Sequence, residues 1–286
     1  RPSTADYTME KKYYLGISLF ERMVRNNINC NVLTVQHRMR PEIAKLIAPN
    51  IYPHLQNHKS VHDFPPVRGI DRCLYFITHK YPEEESADQS KSNVHEVRFL
   101  LRLAKYLLLN GYEPEDITII AAYSGQMFLM FRERKKFELL KDVRITVLDN
   151  YQGEESKIIL LSLVRNNGNK KIGFLSLENR ICVALSRARE GLYILGNMDL
   201  LCENSRIWQK VRNVLEEQDS LGTSLPLRCQ IHHHKVTAVA NQTDFQKVSE
   251  GGCDLICGQI LACGHQCKSC CHILNRDHIK YLCQEE

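Results

Sequence analysis

The feature that most constrains this chain is a set of short runs in which apolar residues follow one another without alternation. Residues 117–122 read ITIIAA and residues 157–164 read KIILLSLV. A strand packed on one face alternates polar and apolar side chains, so these runs predict strands covered on both faces. Residues 73–78 (CLYFIT), 143–148 (VRITVL) and 191–195 (GLYIL) predict three more, and the β-branched stretch 31–35 a further one.

Helical spacing fills the intervals. Asn93 caps a long helix with Glu96 three residues on as a capping box, and Val97, Leu100, Leu101, Ala104 and Leu108 form its apolar face before Gly111. Pro41 opens EIAKLIAPNIY, Leu15, Leu19, Phe20 and Met23 mark an earlier helix, and residues 205–217 carry the single tryptophan, Trp208. Strands alternating with amphipathic helices predict an α/β fold: a doubly wound, mostly parallel sheet covered on both sides. Ligands of such sheets bind beyond the carboxyl ends of the strands, which directs attention to the polar loops at Gln36, Tyr123 and Asp149.

Length and cysteine placement divide the chain. The expected organisation is one α/β domain over residues 1–217, a linker over 218–228 marked by Gly222 and Pro226, and a small module over 229–286. Eight of the twelve cysteines fall in that last part, interleaved with histidines. With no apolar leader in RPSTADYTMEKK and no membrane-length apolar run, such density predicts zinc in an intracellular protein, cytoplasmic rather than nuclear. Cys229, His232, Cys253 and Cys257 offer four ligands in two short pairs, the spacing of a structural zinc site. A second constellation, Cys263, His265, Cys267, Cys270, Cys271, His272 and Cys283, offers more thiols and imidazoles than one ion needs, and spacing does not select four. The competing reading is a cluster of redox-sensitive free thiols.

The stretch 179–189, NRICVALSRAR, ends an apolar helix with two arginines. Guanidinium groups match phosphate oxygens, although basic residues in a last turn also offset the helix dipole. A formal net charge of +5 permits a polyanionic partner without requiring one.

Taken in order, QHRMRPEI, AAYSGQ, VLDNYQGEE and NRICVALSRAR resemble the second RecA-like domain of superfamily-one helicases of the nonsense-mediated-decay type, within the P-loop NTPase superfamily. The resemblance implies that Arg38 reaches the γ-phosphate of ATP from the same loop as Gln36. His37 stands where the family usually stacks a tyrosine on adenine. Gln152 and Gly153 match the motif linking nucleotide to nucleic acid, Glu155 the acid that accepts a ribose hydroxyl, and Arg187 the arginine finger. Arg189 is a supporting residue, and Tyr123, Ser124 and Asn150 lie in the loops that grip the nucleic-acid backbone. CGHxC followed by CH resembles an NFX-type zinc finger, with the finger region continuing past Glu286.

No stretch has the form G-x-x-x-x-G-K-[ST], and no acidic run stands where magnesium carboxylates belong. In this family those lie in the first RecA-like domain, of which Arg1-Pro2 resembles the tail. The expectation is half an ATP site, with ATP and Mg2+ bound only together with that first domain, inactive alone and acting on RNA ahead of DNA. Two other readings compete: a catalytically silent RNA- or protein-binding scaffold, suggested by His37, with protein partners held through the zinc region, and a zinc module for ubiquitin transfer, whose ligand spacing is not that of a RING.

Overall fold

The computed structural model describes residues 12–13, 17–85, 90–279 and 283. Arg1, Pro2 and Leu15 lie outside them. Two compact units are present, residues 1–35 and residues 36–286. In the first, helix α1 (Leu19–Arg25) starts at Ser18, whose hydroxyl accepts from the Glu21 N–H at 3.1 Å. Residues 31–34, expected as strand, have no regular structure.

The second unit is built on six strands: β1 (Leu74–Thr78), β2 (Ile117–Ala121), β3 (Arg144–Val147), β4 (Ser156–Ser162), β5 (Ala188–Gly196) and β6 (Leu221–Gly222). Their order is β6-β1-β5-β4-β2-β3, and every pairing is parallel. Helices α2 (Pro41–Ala44), α3 (Val94–Leu109), α4 (Ser124–Arg134), α5 (Glu178–Leu185), α6 (Met198–Asn204) and α7 (Arg206–Glu217) cover the faces. The unalternating strands do what their composition requires. Ile158 and Leu160 of β4 enter the core shared with α3, whereas Ile159 and Leu161 enter the core shared with α5 and α7. Each such side chain contributes about 1.5–3 kcal/mol of burial. Trp208 is fully buried in the second core, and its indole N–H donates to the Leu175 carbonyl at 2.9 Å.

Local details depart from the sequence reading. The helix opened by Pro41 ends at Ala44 in a series of turns, and residues 205–217 divide into an N-cap at Ser205 and α7, with α6 before it. Asn93 caps α3 through its side chain, which accepts from the Glu96 N–H at 3.2 Å. Glu96 does not complete a capping box. Its carboxylate turns into the core, accepting from the Val164 N–H at 3.1 and 3.0 Å, binding the Ser162 hydroxyl and facing His79 Nε2 at 3.0 Å. Val164 leaves β4 with φ 72°, so its N–H points off the ladder and Glu96 supplies the acceptor.

The stretch 218–228 is not a linker. Phe76 donates to the Ser220 carbonyl at 2.8 Å, β6 lengthens the sheet, and β7 (Leu225–Arg228) pairs antiparallel with β8 (Val236–Val239). Leu225, Leu227 and Val239, followed by Phe245 and Val248, pack into the α3 core. Leucines at alternate positions around Pro226 are too apolar to stay solvated, and Gly222 closes against the Tyr75 side chain instead of loosening the chain.

The connection from β3 to β4 fixes where the polar loops lie. It must pass β2, and it does so without a helix of its own beyond one 3-10 turn, Leu148–Asn150. Tyr151 is buried on the way, its hydroxyl 3.3 Å from Thr118 Oγ1 on β2. Residues 152–155 therefore arrive at the amino end of β4, beside Arg187 at the amino end of β5. Of the loops expected beyond carboxyl ends, Tyr123 lies there, but the Gln36 loop gathers at the opposite edge.

Candidate phosphate site and metal centres

At the amino edge the QHRMRP loop is locked by its own glutamine. Gln36 donates to the Met39 carbonyl and to Asn57 Oδ1, each at 2.7 Å, and accepts from the N–H groups of Arg38 at 2.9 Å and Met39 at 2.8 Å. All the hydrogen-bonding capacity needed to hold a tight turn is used internally, so Gln36 is a positioning residue. His37 is exposed and lies against His58, ring centroids 4.0 Å apart.

The two arginines of the loop separate by burial. Arg40 is 8% exposed, donates to the Glu190 carbonyl at 2.7 Å and receives support from Glu42 at 3.2 Å. Arg38 is directed to the open side. Its Nε meets Glu155 Oε2 at 2.5 Å, and Nη1 donates to the Ser186 carbonyl at 3.2 Å. Arg187 approaches the same serine, donating to Ser186 Oγ at 2.8 Å, to the Val183 carbonyl at 3.1 Å and to the Glu154 carbonyl at 3.2 Å. Arg189 lies 3.9 Å from Glu155 and over the ring of Phe64.

Ser186 thus ties together the two arginines singled out by the resemblance, and Glu155 is the carboxylate between Arg38 and Arg189. Burial first, and the neighbouring Arg38 second, push Arg187 below its ordinary range. A guanidinium stays charged under such a shift, so the arrangement is a cluster of cations that an anion would relieve. Gln152 is exposed. Gly153 has φ 86° and open space around it, as required of a backbone that turns where a polyanion can approach.

Tyr123 and Ser124 sit at the carboxyl edge, where α4 begins. The Tyr123 ring tilts against Phe174 at 4.5 Å, and its hydroxyl accepts from Arg165 Nη1 at 3.1 Å. Burial raises its pKa, so it stays a neutral phenol. Arg165 also pairs with Glu83 at 3.0 Å, both largely buried, and Asn166 N–H and Asn167 Nδ2 donate to the same carboxylate oxygen. Arg180 lies over the Phe174 ring, 4.3 Å from its centroid, and reaches Asp149 at 3.2 Å. Ser124 Oγ lies 3.3 Å from Ser90 Oγ, and Asn150 is exposed beside Asp149. Arg165, Phe174, Arg180 and Ser186 were not among the expected site residues. The basic, amide-rich run RNNGNKK directly after β4 is the signal that points to this loop.

The cysteine-rich region brings together donors in a different combination from the one spacing suggests. Cys229, His232, Cys253 and Cys271 form one group, Cys257, Cys267, His272 and His278 a second, and Cys263, His265 and Cys283 a third, each with its ligand atoms within 4.8 Å of one another. Cys257 therefore leaves the first set and Cys271 replaces it, while His278 enters the second, unexpected from sequence. The reason is β-pairing: β9 (Gly251–Ile256) runs antiparallel to β10 (Cys270–His272), which brings Cys271 against Cys253. A side chain at Gly252 would collide with the Cys271 carbonyl, so the close approach depends on that glycine.

Donor chemistry fits a tetrahedral ion. Zinc–sulfur and zinc–nitrogen bonds near 2.3 and 2.0 Å place ligand atoms about 3.3–3.8 Å apart. Cys229 Sγ and Cys271 Sγ are 3.8 Å apart, Cys253 Sγ and His232 Nδ1 3.3 Å, and Cys257 Sγ and His278 Nε2 3.4 Å. His272 Nδ1 faces the Leu274 carbonyl at 2.9 Å and His278 Nδ1 the Arg276 carbonyl at 2.7 Å. Those carbonyls hold the proton on Nδ1 and leave both Nε2 lone pairs, 3.1 Å apart, aimed into the group. The residues present could hold two structural metal ions. Among the described residues no helix is long and apolar enough to cross a membrane.

Residues 15–199 match a family described as an AAA domain. The whole chain is 44% identical over 286 residues to the mouse NFX1-type zinc finger-containing protein 1, covering 15% of that protein. It is 38% identical over 236 residues to the helicase required for RNAi-mediated heterochromatin assembly 1 of Schizosaccharomyces pombe, which covers 79% of this chain and 23% of that protein. It is 31% identical over 219 residues to the Drosophila melanogaster regulator of nonsense transcripts 1 homolog, covering 72% of this chain and 18% of that protein. The chain spans less than a quarter of the length of each of these relatives.

Proposed function

The chain belongs to the AAA-domain family of helicases, and from that premise we propose that it is the second motor domain of an ATP-dependent RNA helicase. The observation that carries this reading is the convergence of Arg38 and Arg187 on Ser186, with Glu155 between Arg38 and Arg189. With Mg2+, ATP supplies the phosphoryl group; a phosphate-cradling loop and magnesium carboxylates come from the first motor domain. This chain contributes cations from across the cleft. Arg187, prepositioned by the Val183 and Glu154 carbonyls, stabilises charge developing on the phosphoryl oxygens without reorganising. Arg38 exchanges Glu155 for phosphate, which frees that carboxylate to accept a ribose hydroxyl. Gln152 and Gly153 precede Glu155 in the same loop, Arg189 lies 3.9 Å from Glu155, and His37 offers a ring to the base.

The carboxyl edge serves the nucleic acid. Tyr123 and Arg180 both lie against Phe174, and Ser124 and Asn150 offer polar contacts to a backbone. RNA is preferred to DNA on the names of the relatives, which refer to nonsense transcripts and RNAi. Zinc in the two four-ligand groups would be structural, since four protein donors leave no open position.

The test is RNA-stimulated ATP hydrolysis by the longer protein carrying both motor domains. Arg187→Ala is expected to lower turnover by about a thousand-fold, the scale of an arginine finger, with RNA binding retained. The 286-residue chain alone is expected to hydrolyse no ATP. An unchanged rate for Arg187→Ala would remove the assignment.

A further inference from the structure

Where α3 passes the segment 242–249 there is a cavity of about 310 Å3. Arg102 and Lys105 of α3 line one side, Gln242, Thr243 and Gln246 the other, and Phe137 also lines it; no carboxylate does. Arg98, Arg102 and Lys105 are spaced by four and three residues, so they share one face of the helix. Gln242 and Thr243 also border a second cavity of about 340 Å3, whose wall carries Arg98 and one carboxylate, Glu84. The cations therefore form a lane along α3 that continues past those two residues.

The lane has a flat partner and fixed walls. Arg102 Cζ lies 5.5 Å from the centre of the half-buried Phe137 ring. Phe245 and Val248 are buried in the core that holds α3, and the Asp244 carboxylate accepts from Ala240 N–H at 3.0 Å and Asn241 N–H at 3.1 Å. At the end of α3, Asn110 donates to the Gly251 carbonyl at 3.1 Å and accepts from Gln230 at 2.7 Å. This is a preformed cleft between the parallel-sheet fold and the cysteine-rich region. Arg102 also donates to the Arg98 carbonyl at 3.1 Å, and burial, then Arg98, lower its pKa against the opposing pull of Glu133.

We propose that this cleft is a seat for a single-stranded nucleic acid, phosphates on Arg102 and Lys105 and a base against Phe137, its edge read by the amides of Gln242 and Gln246. An acidic peptide would satisfy the cations but would leave the ring and the amides unused. Bases present both a π-face and mixed donors and acceptors, which amide side chains match. None of these residues belongs to the carboxyl-edge group, so this site and that one stand or fall separately.

The experiment measures anisotropy of a labelled oligouridylate, and of an oligothymidylate to separate RNA from DNA, on the full chain across a salt series. Arg102→Gln with Lys105→Gln is expected to weaken binding by about ten-fold and to flatten the salt dependence, as when phosphate contacts are lost. Arg165→Ala serves as the carboxyl-edge arm. If Arg165→Ala weakens binding and the double variant does not, the cleft proposal is overturned and the edge reading stands. If only the double variant weakens it, the reverse holds. Binding of polyglutamate in place of either oligonucleotide, with the same dependence on Arg102 and Lys105, also overturns it. Should the double variant lose its fold by circular dichroism, photocrosslinking of 4-thiouridine RNA to the wild-type chain decides: adducts on peptides spanning 98–109, 137 or 242–249 uphold the site, and adducts confined elsewhere reject it.

Discussion

At the scale of the residue, sequence motifs supply arginines in pairs and the structure assigns them different work. In Arg38-Met39-Arg40 the buried Arg40 holds carbonyls, whereas the half-exposed Arg38 faces a carboxylate. Replacing Arg40 by alanine is expected to cost about 1–3 kcal/mol, because the carbonyl of Glu190 is left buried and unpaired. Arg38→Ala, whose exposed ion pair contributes about 0–1 kcal/mol, should leave the denaturation midpoint nearly unchanged while weakening ATP hydrolysis in the longer protein. Urea unfolding of both variants separates the two roles. Sequence order could identify the pair but not divide it, since the division comes from contacts between residues far apart in the chain. A second residue-scale expectation concerns His95, stacked on Tyr81 at 3.8 Å with His79 beside it and its Nε2 buried without a hydrogen-bond partner. Burial first and His79 second hold its pKa at about 4. The unfolded chain takes up a proton from about pH 6.5 downward and the folded chain only near pH 4, so stability falls as pH drops through that window. His95→Phe keeps the stack and removes the titration. The difference between its unfolding midpoints at pH 7 and pH 5 should be smaller than that of the wild type, and an equal difference would refute this origin.

At the scale of the element, five of the six sheet strands were legible because apolar runs covered on both faces need no tertiary information, and their ends fell within a few residues of expectation, whereas β6 lay in the expected linker and residues 31–34 formed no strand. What stayed hidden were turns whose cause is a distant partner. Glu96 has the spacing of a capping residue, yet it serves β4, accepting from Val164 and Ser162 and facing His79, while Gln126 bridges Ser162 Oγ at 2.7 Å and the Asn93 carbonyl at 3.1 Å. That network ties the start of α3 to the loop that sets Arg165 beside Tyr123. Glu96→Ala is expected to cost about 3–5 kcal/mol, as for loss of one member of a buried charged network. Its effect should be on folding, seen as an unfolding midpoint shift, and amide exchange at Val164 should rise more than in α7, which the network does not touch. Equal protection at both positions would contradict a local role.

At the scale of the whole molecule, the cysteine-rich region is fastened to the parallel-sheet fold and does not hang from a linker. Leucines 225 and 227 with Val239 are shared with the α3 core, and Ile70 bridges Leu227. Composition could show that these residues are suited to hold metal, but not which four go together, because the pairing of β9 with β10 is long-range. The two four-donor groups, one of the Cys3His type and one of the Cys2His2 type, are expected to take up about two zinc ions per chain in a metal assay. Cobalt substitution distinguishes them by the intensity of thiolate charge-transfer bands. Cys271→Ser should remove the Cys3His signature and spare the other. Cys257→Ser should do the opposite, and pairing it with His278→Ala should add little, because both act through one ion. Loss of the Cys3His signature on Cys257→Ser would instead restore the pairing that spacing suggests. Chelation is expected to melt β9 and β10, which bury few apolar groups outside the metal clusters, while far-ultraviolet circular dichroism retains the helices of the sheet fold. The anchored hairpin β7–β8 belongs to the larger core, so the loss should stop there, giving two unfolding steps in the apo chain.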